Sequence, residues 1–433
     1  ERMNYEGKVL LPLDETSVLE IVPLAHAHKI EAIAVGLIHS YANEDHERKV
    51  GQILRNELPG ISITLSSEVC PEIREYERQS TASANAYVQP KMSRYLTELD
   101  KSLKARGVSC PFFLMTSGGG LTTLETAIKF PVRLVESGPA GGAILASYIA
   151  RECNVKNVVS YDMGGTTAKL CLIDDYEPQS TRAFEVARVY RNLRGSGLPV
   201  RIPAIEMVEI GAGGGSIAHI DTMGRINVGP ESAGAEPGPA CYDQGGDSPT
   251  VTDADVILGR IDPDRFAGGR VKMVPERAYE TVHRKIGQKT NMTDAFSAFG
   301  VSEIVDENMA SAARVHAIEW GKDISARAMI AFGGAAPLHA SRLAEKLDID
   351  KVIIPTGAGV GSAIGFLRAP VSYEVVRSRY LQLETFDHDF VNDLIEDMGV
   401  EARTVVELGA AGTPLDETRF AYMRYVGQGH EII

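Results

Sequence analysis

Apolar and polar positions along this chain alternate between a strand rhythm and a helix rhythm. Short apolar runs at residues 8–13 (Lys-Val-Leu-Leu-Pro-Leu) and 30–38 (Ile-Glu-Ala-Ile-Ala-Val-Gly-Leu-Ile) predict buried strands, with helical spacing over 15–28 between them. A polar helix is expected at about 43–57 and a strand at Ile61–Leu65. Residues 75–106 read as one long helix, interrupted or kinked near Pro90, because proline lacks an N–H and crowds the preceding turn. Pro111–Met115 is a further buried strand, running into Thr116-Ser117-Gly118-Gly119-Gly120. A second series opens at Asn157–Tyr161 and passes through a glycine- and proline-rich stretch from about 195 to 270, an elaborated insertion rather than a linker. Helical spacing returns at 272–286 and 301–320, followed by a strand at Met329–Phe332, a helix at 337–347 and a strand at Lys351–Pro355. From about 371, strands plus a short helix are expected. Strands alternating with helices predict an α/β fold with a mostly parallel or mixed sheet.

A chain of 433 residues exceeds one ordinary core, so two or three domains are expected. With 44% hydrophobic and 24% charged residues, global disorder is excluded. The 44 basic and 58 acidic side chains leave a net charge of −14, which argues against a nucleic-acid or anionic-membrane partner. No apolar run reaches the roughly 18–20 residues of a membrane helix. Five cysteines without a C-x-x-C pair predict reduced thiols and a cytoplasmic setting. The start at Glu1 and the end within an apolar stretch suggest a fragment of a longer polypeptide.

The chemistry concentrates in three segments. The first is Val158-Val159-Ser160-Tyr161-Asp162-Met163-Gly164-Gly165-Thr166-Thr167-Ala168-Lys169, an apolar strand ending in an aspartate and turning through two glycines and two threonines. Gly164 and Gly165 let backbone N–H groups approach phosphate oxygens, and Thr166 and Thr167 add hydroxyls. Asp162 can hold Mg²⁺ directly or through water, or orient an attacking group. The plainer alternative is a hairpin turn whose glycines supply positive φ angles. The second segment is Phe332-Gly333-Gly334-Ala335-Ala336-Pro337, a strand–glycine–helix turn against which a flat adenosine can lie; close helix–strand packing would need the same glycines. The third, Glu136-Ser137-Gly138-Pro139-Ala140-Gly141-Gly142-Ala143, opens a helix of small residues able to approach a second helix closely, as at an interdomain hinge.

In this order the three segments resemble the nucleotide-binding fold shared by actin, sugar kinases and the seventy-kilodalton chaperones. The fold class implied is α/β, with two actin-like (ribonuclease H-like) domains, a glycine-rich insertion and truncated first and last domains. Residues 1–155 would be the C-terminal part of the first domain, without its D-x-G-G-T-x-T phosphate loop. Residues 156–370 would form the second domain, and 371–433 the start of a third. The stretches Glu209–Ala218, Val228–Tyr242, Pro249–Asp255, Ser83–Pro90 and Phe332–Ala340 resemble the hydantoinase A/5-oxoprolinase family, up to about residue 373. That resemblance implies an enzyme using ATP and Mg²⁺ to phosphorylate a carbonyl oxygen of a cyclic amide of hydantoin or 5-oxoproline type. It further implies an oligomeric assembly with a B-type hydantoinase subunit or a second half of the parent chain. Asp162 and Thr166 would be catalytic, Asp162 the metal residue, and Gly164, Gly165, Thr166, Thr167, Gly333, Gly334 and Ala335 nucleotide contacts. An acetone- or acetophenone-type carboxylase and a nucleotide-gated, non-catalytic ATPase module are the alternatives, and without its first phosphate loop this chain alone is expected to be inactive.

Other candidates carry plainer expectations. Lys169 either reaches a phosphate or lies on an exposed strand face. The Ile210–Ser216 glycine run departs from dinucleotide-loop spacing and is expected at the active-site cleft or a partner face. Asp253 and Asp255 suit caps better than a metal site. Cys241 has no activating neighbour in sequence. His316, on the inner stripe of its helix, is expected in the core, and His219 and His339 are expected to be structural. The run Glu72-Ile73-Arg74-Glu75-Tyr76-Glu77-Arg78 is expected to be a solvated helix face.

Overall fold

In the computed structural model, which describes residues 1–182, 184–187, 189, 195–429 and 431–432, two apolar cores organise the part of the chain before the glycine-rich stretch. β1 (Ala32–Val35) leads through α1 (Asp45–Glu57) into β2 (Ser62–Leu65), and the strands pair in parallel with Ala32 opposite Ser62. A parallel pair needs such a crossover, and α1 buries Val50 and Leu54 against Val35, Ile63 and Leu65 in doing so. α2 (Glu75–Ala105) is one uninterrupted helix of 31 residues, with Pro90 inside it.

Three expectations fail here. Only Val9–Leu11 of the first apolar run is extended; it pairs with Arg2–Met3, and Leu10 is 61% exposed, because this ribbon lies outside the core. The helical stretch 15–28 is two short helices, Glu15–Leu19 and Ile21–Ala27. The 72–78 run is no solvated face: Arg78 is wholly buried, donating to the carbonyls of Glu72 and Leu37 and to Ser66 Oγ, and Glu72 is buried against Arg182 and Arg201.

α3 (Ser137–Glu152) enters the main sheet through β3 (Val158–Met163), which turns at 164–167 into antiparallel β4 (Ala168–Asp174). β5 (Val208–Ile210) pairs antiparallel with β4, and the hairpin β6 (Ser216–Ile220) and β7 (Ile226–Ser232) follows. Then come α4 (Val251–Ile257), α5 (Asp294–Glu319), β8 (Ala328–Phe332), α6 (Ala336–Leu347), β9 (Val352–Ile353) and α7 (Gly361–Phe366). The strand order is β5-β4-β3-β8-β9, with β3, β8 and β9 mutually parallel. Side chains alternate across β3: Val159, Tyr161 and Met163 face α4, α5 and α6, whereas Val158 faces α3 with Cys171, Ile330 and Phe332. Both faces are covered, which is why these strands read as continuous apolar runs.

α3 crosses α7 at glycines: a Cβ on Gly365 would collide with the Gly141 carbonyl, and one on Gly142 would meet Phe332 at 2.6 Å. Beyond 371, the backbone of Pro370 and Ser372 bonds to Leu121, Ser378 bonds to Pro71, and α8 (His388–Ala410) follows. The expected short helix is thus 23 residues long, and among the described residues the expected strands reduce to isolated bridges such as Met423–Ile432. No helix is long and apolar enough to cross a membrane among the described residues.

Candidate active site

Asp162 is the last residue but one of β3, and the turn after the strand presents bare backbone. Gly164 N–H bonds to Thr167 O at 3.1 Å, Gly165 and Thr166 are exposed, and a Cβ on either glycine would meet nothing within 4 Å. The turn does join a hairpin, yet neither glycine has positive φ, so conformational need does not explain them. What they provide is access to the main chain.

The glycine-rich stretch folds back onto this turn. Gly214 N–H donates to Gly164 O at 3.0 Å and Gly215 N–H to Gly165 O at 2.6 Å, and a Cβ on Gly213 would lie 2.6 Å from Thr166 N. The run thus packs on the turn that follows Asp162. From beneath, Thr252 donates its N–H and its hydroxyl to Gly214 O, at 2.7 and 2.8 Å. Asp253 completes a capping box with Thr250 and accepts the N–H groups of Ala240 and Cys241, so its oxygens are committed to backbone.

The third glycine segment closes over Asp162. Gly333 has φ +99°, and a Cβ there would lie 2.5 Å from both Asp162 Oδ1 and Met163 O. Its N–H donates to Ala358 O at 2.8 Å, and Ala335 N–H donates to Met163 O at 2.9 Å. Gly334 alone of the three is exposed with open space at its Cβ position; Ala335 is buried and anchors the turn. The structure therefore gathers Asp162, Gly164–Thr167, Gly213–Gly215 and Gly333–Ala335 around the β3–β4 turn.

Asp162 Oδ2 accepts the Ser362 hydroxyl at 2.9 Å. Burial raises the Asp162 carboxyl above the usual carboxylate range, while the Ser362 bond and the Lys169 charge pull against that rise. Lys169, opposite Asp162 in the β3–β4 register, lies 2.8 Å from Glu136 Oε2 and 3.7 Å from Glu209 Oε1. It is neither free nor on an exposed face. Glu136 holds left-handed backbone (φ 59°) where α3 begins, a strained position of the kind that collects at functional sites. Sequence reasoning missed Ser362, 200 residues from Asp162, because no spacing links them. Glu136 was visible within its motif, but not its bond to Lys169.

The remaining candidates fall as follows. Cys241 is buried, which pushes its thiol up and away from nucleophilic use. His316 is buried in α5 with Val305 and Met309, whereas His219 is exposed on β6. Asp255 is not a cap; it pairs with Arg260 at 3.0 Å and with His339 at 3.1 Å inside the core.

The chain is 36% identical over its full length to an uncharacterized protein of Methanocaldococcus jannaschii, covering 63% of that protein. It is 32% identical to the caprolactamase subunit alpha of Pseudomonas jessenii (99% of this chain, 61% of that one) and 34% identical to the acetophenone carboxylase gamma subunit of Aromatoleum aromaticum (99% and 59%). The crystal structure of the ATP-dependent caprolactamase from Pseudomonas jessenii superposes with a TM-score of 0.81 at 30% identity, over 99% of this chain and 62% of that one. Nucleotide-free acetone carboxylase superposes with 0.78 at 26%, over 100% and 61%. The chain thus spans about three-fifths of the length of these relatives. The hydantoinase/oxoprolinase N-terminal region model matches residues 1–58 and the hydantoinase/oxoprolinase model matches residues 78–375, so the chain belongs to the hydantoinase/oxoprolinase family.

Proposed function

We propose that this chain is the nucleotide-handling part of an ATP-dependent enzyme that opens a cyclic amide of hydantoin or 5-oxoproline type. The observation that carries the reading is the convergence of three glycine segments on Asp162 and the turn after it, where Gly165 and Thr166 are exposed. Among the described residues the Thr166 and Thr167 hydroxyls have no partner within the chain, which fits a phosphate cradle. ATP, when bound, supplies the phosphoryl group that turns an unreactive amide carbonyl into an O-phosphorylated imidate open to water. The chain's own part is to orient. Gly165, Thr166 and Thr167 hold phosphate oxygens, and Gly334 leaves room for the adenosine. Asp162, set by Ser362, would hold Mg²⁺ directly or through water, or position the attacking group. A single carboxylate cannot build a full magnesium shell, so phosphate and water would supply the rest. Five free cysteines suit a reducing, cytoplasmic compartment. A B-type subunit or further chain would complete the substrate site within a larger oligomer, as the relatives' naming as subunits suggests.

A ketone carboxylase is the second reading, supported by similarity to carboxylase subunits as close as that to caprolactamase. Phosphate release separates the two. The parent protein, co-expressed with its B-type partner, is offered hydantoin, N-methylhydantoin, 5-oxoproline, caprolactam or acetone, with and without bicarbonate. Stimulation by a cyclic amide, lost in Asp162→Ala, supports the amidase. Stimulation only by acetone plus bicarbonate makes it a carboxylase, and no stimulation by any compound refutes both.

A further inference from the structure

Behind the glycine segments, α4, α5 and α6 meet at His339. Its Nδ1 lies 2.8 Å from Asp306 Oδ1 on α5, and its Nε2 lies 3.1 Å from Asp255 Oδ2 on α4. All three side chains are buried. Arg260 donates to Asp255 Oδ1 at 3.0 Å and to Ser302 Oγ at 2.7 Å, and Ser302 donates to Asp306 Oδ2 at 3.4 Å, which closes a ring. Ionised carboxylates only accept, so a histidine between two of them satisfies both by carrying protons on both nitrogens. The charges of Arg260 and His339 then balance those of Asp255 and Asp306. Neutral imidazole would turn a lone pair toward a carboxylate oxygen and leave net negative charge in the core. Burial by itself would lower the His339 pKa, but the bonds to Asp255 and Asp306 outweigh it and raise it to about 9.

Three members of the ring, Asp255, His339 and Asp306, connect to the elements that carry the glycine segments and Asp162. Asp255 shares α4 with Thr252, which holds Gly214, and with Asp253, which holds the 240–241 backbone. His339 lies about one turn into α6, the helix that begins at the Gly333–Gly334 turn. Asp306 lies one turn from Met309, whose Sδ accepts the hydroxyl of Tyr161, the residue before Asp162. The other charged groups of α6 point elsewhere: Arg342 pairs with Glu303 and with Glu345, and Lys346 pairs with Glu303 and Glu307.

We propose that His339, as a doubly donating cation, is a positioning residue that sets the spacing between the Gly213–Gly215 and Gly333–Gly334 segments and makes the shape of the cleft depend on its protonation. The inference rests on the nucleotide reading above only in calling that cleft functional. Hydrogen exchange on the full chain, read by mass spectrometry, tests the positioning without nucleotide. In His339→Gln at pH 7, peptides covering 211–216 and 333–336 should exchange about tenfold faster, while α2 and the β1–β2 pair stay unchanged. Wild-type protein should show the same two-segment loosening as pH rises through about 9, after correction for base-catalysed exchange, and the variant should show no such step. Unchanged exchange in the two segments, or an equal rise throughout the chain, overturns the proposal. Should His339→Gln not fold, Asp306→Asn and the wild-type pH series decide by the same criteria. A parallel Mg·ATP titration of the complete enzyme by calorimetry keeps the readings apart: a complete enzyme that binds no ATP, while the chain shows the two-segment step, counts against the nucleotide reading and supports the positioning.

Discussion

Replacing Gly333 by alanine tests the closure of the cleft, with Gly334→Ala as its internal control. At Gly333 the backbone sits at φ +99°, where an L side chain costs about 1–2 kcal/mol. The new methyl would also lie 2.5 Å from Met163 O and from Asp162 Oδ1. Met163 belongs to a central strand paired on both sides and cannot withdraw, and Asp162 is held by Ser362. Relieving that contact costs roughly a further 1–3 kcal/mol, for a total of about 2–5 kcal/mol. At Gly334, one residue on, φ is not positive and a methyl meets nothing within 4 Å, so stability should move by no more than about 0.5 kcal/mol. Urea denaturation followed by far-ultraviolet circular dichroism gives both values. If the adenosine lies on Gly334, Gly334→Ala should nonetheless weaken ATP binding about tenfold, the equivalent of 1.4 kcal/mol. Equal stability of the two variants would refute the packing argument, and undiminished ATP binding by Gly334→Ala would refute the adenosine placement.

Gly365→Ala should cost at least about 3 kcal/mol or prevent folding, because its methyl would overlap the Gly141 carbonyl at the α3–α7 crossing; thermal melting reads this. The His339 pKa, about 9 when folded against 6.5 unfolded, is raised, so its stabilisation of roughly 3 kcal/mol is complete below pH 6.5 and lost as pH rises through 9. Urea midpoints from pH 6 to 10 should fall accordingly in wild type, but not in His339→Gln. Glu303 behaves oppositely: its hydrogen bond from Arg342, with Lys346 assisting, holds it at about 2, so its contribution is present above pH 4.5 and lost as pH falls toward 2. Solvent screens this partly exposed pair, and Glu303→Gln should cost only about 1 kcal/mol at pH 7 by urea denaturation. Asp162→Asn keeps an acceptor for Ser362 and should stay within about 1 kcal/mol of wild-type stability, while lowering ATP hydrolysis by the complete enzyme at least about 100-fold.

Local signals in the sequence were sufficient where the chain contacts itself nearby. The apolar run into Asp162, the paired glycines and the Asp253 cap are each written within a few residues and are found in the structure. Period alone could not tell that Val9–Leu11 would be exposed, since an apolar triplet reads the same on a ribbon as in a core. An interruption at Pro90 is not seen, since α2 runs through it, and the residues after 371 hold a long helix, α8, whose helical spacing loop-like flanks obscure. Least legible were contacts across long separations. Glu72 looks like a surface charge until Arg182 and Arg201 arrive from more than a hundred residues away, and Arg78 does until Leu37 and Ser66 accept its hydrogen bonds. His339 shows no partner until α4 and α5 bring Asp255 and Asp306 to it.

The central claim is that nucleotide sits where the three glycine segments meet at Asp162. A crystal structure of the complete enzyme with Mg²⁺ and a non-hydrolysable ATP analogue tests it most directly. The account predicts phosphate oxygens on the backbone and hydroxyls of Gly165–Thr167, with the adenosine beside Gly334. Nucleotide bound elsewhere, or this cleft bare at saturating analogue, would contradict it.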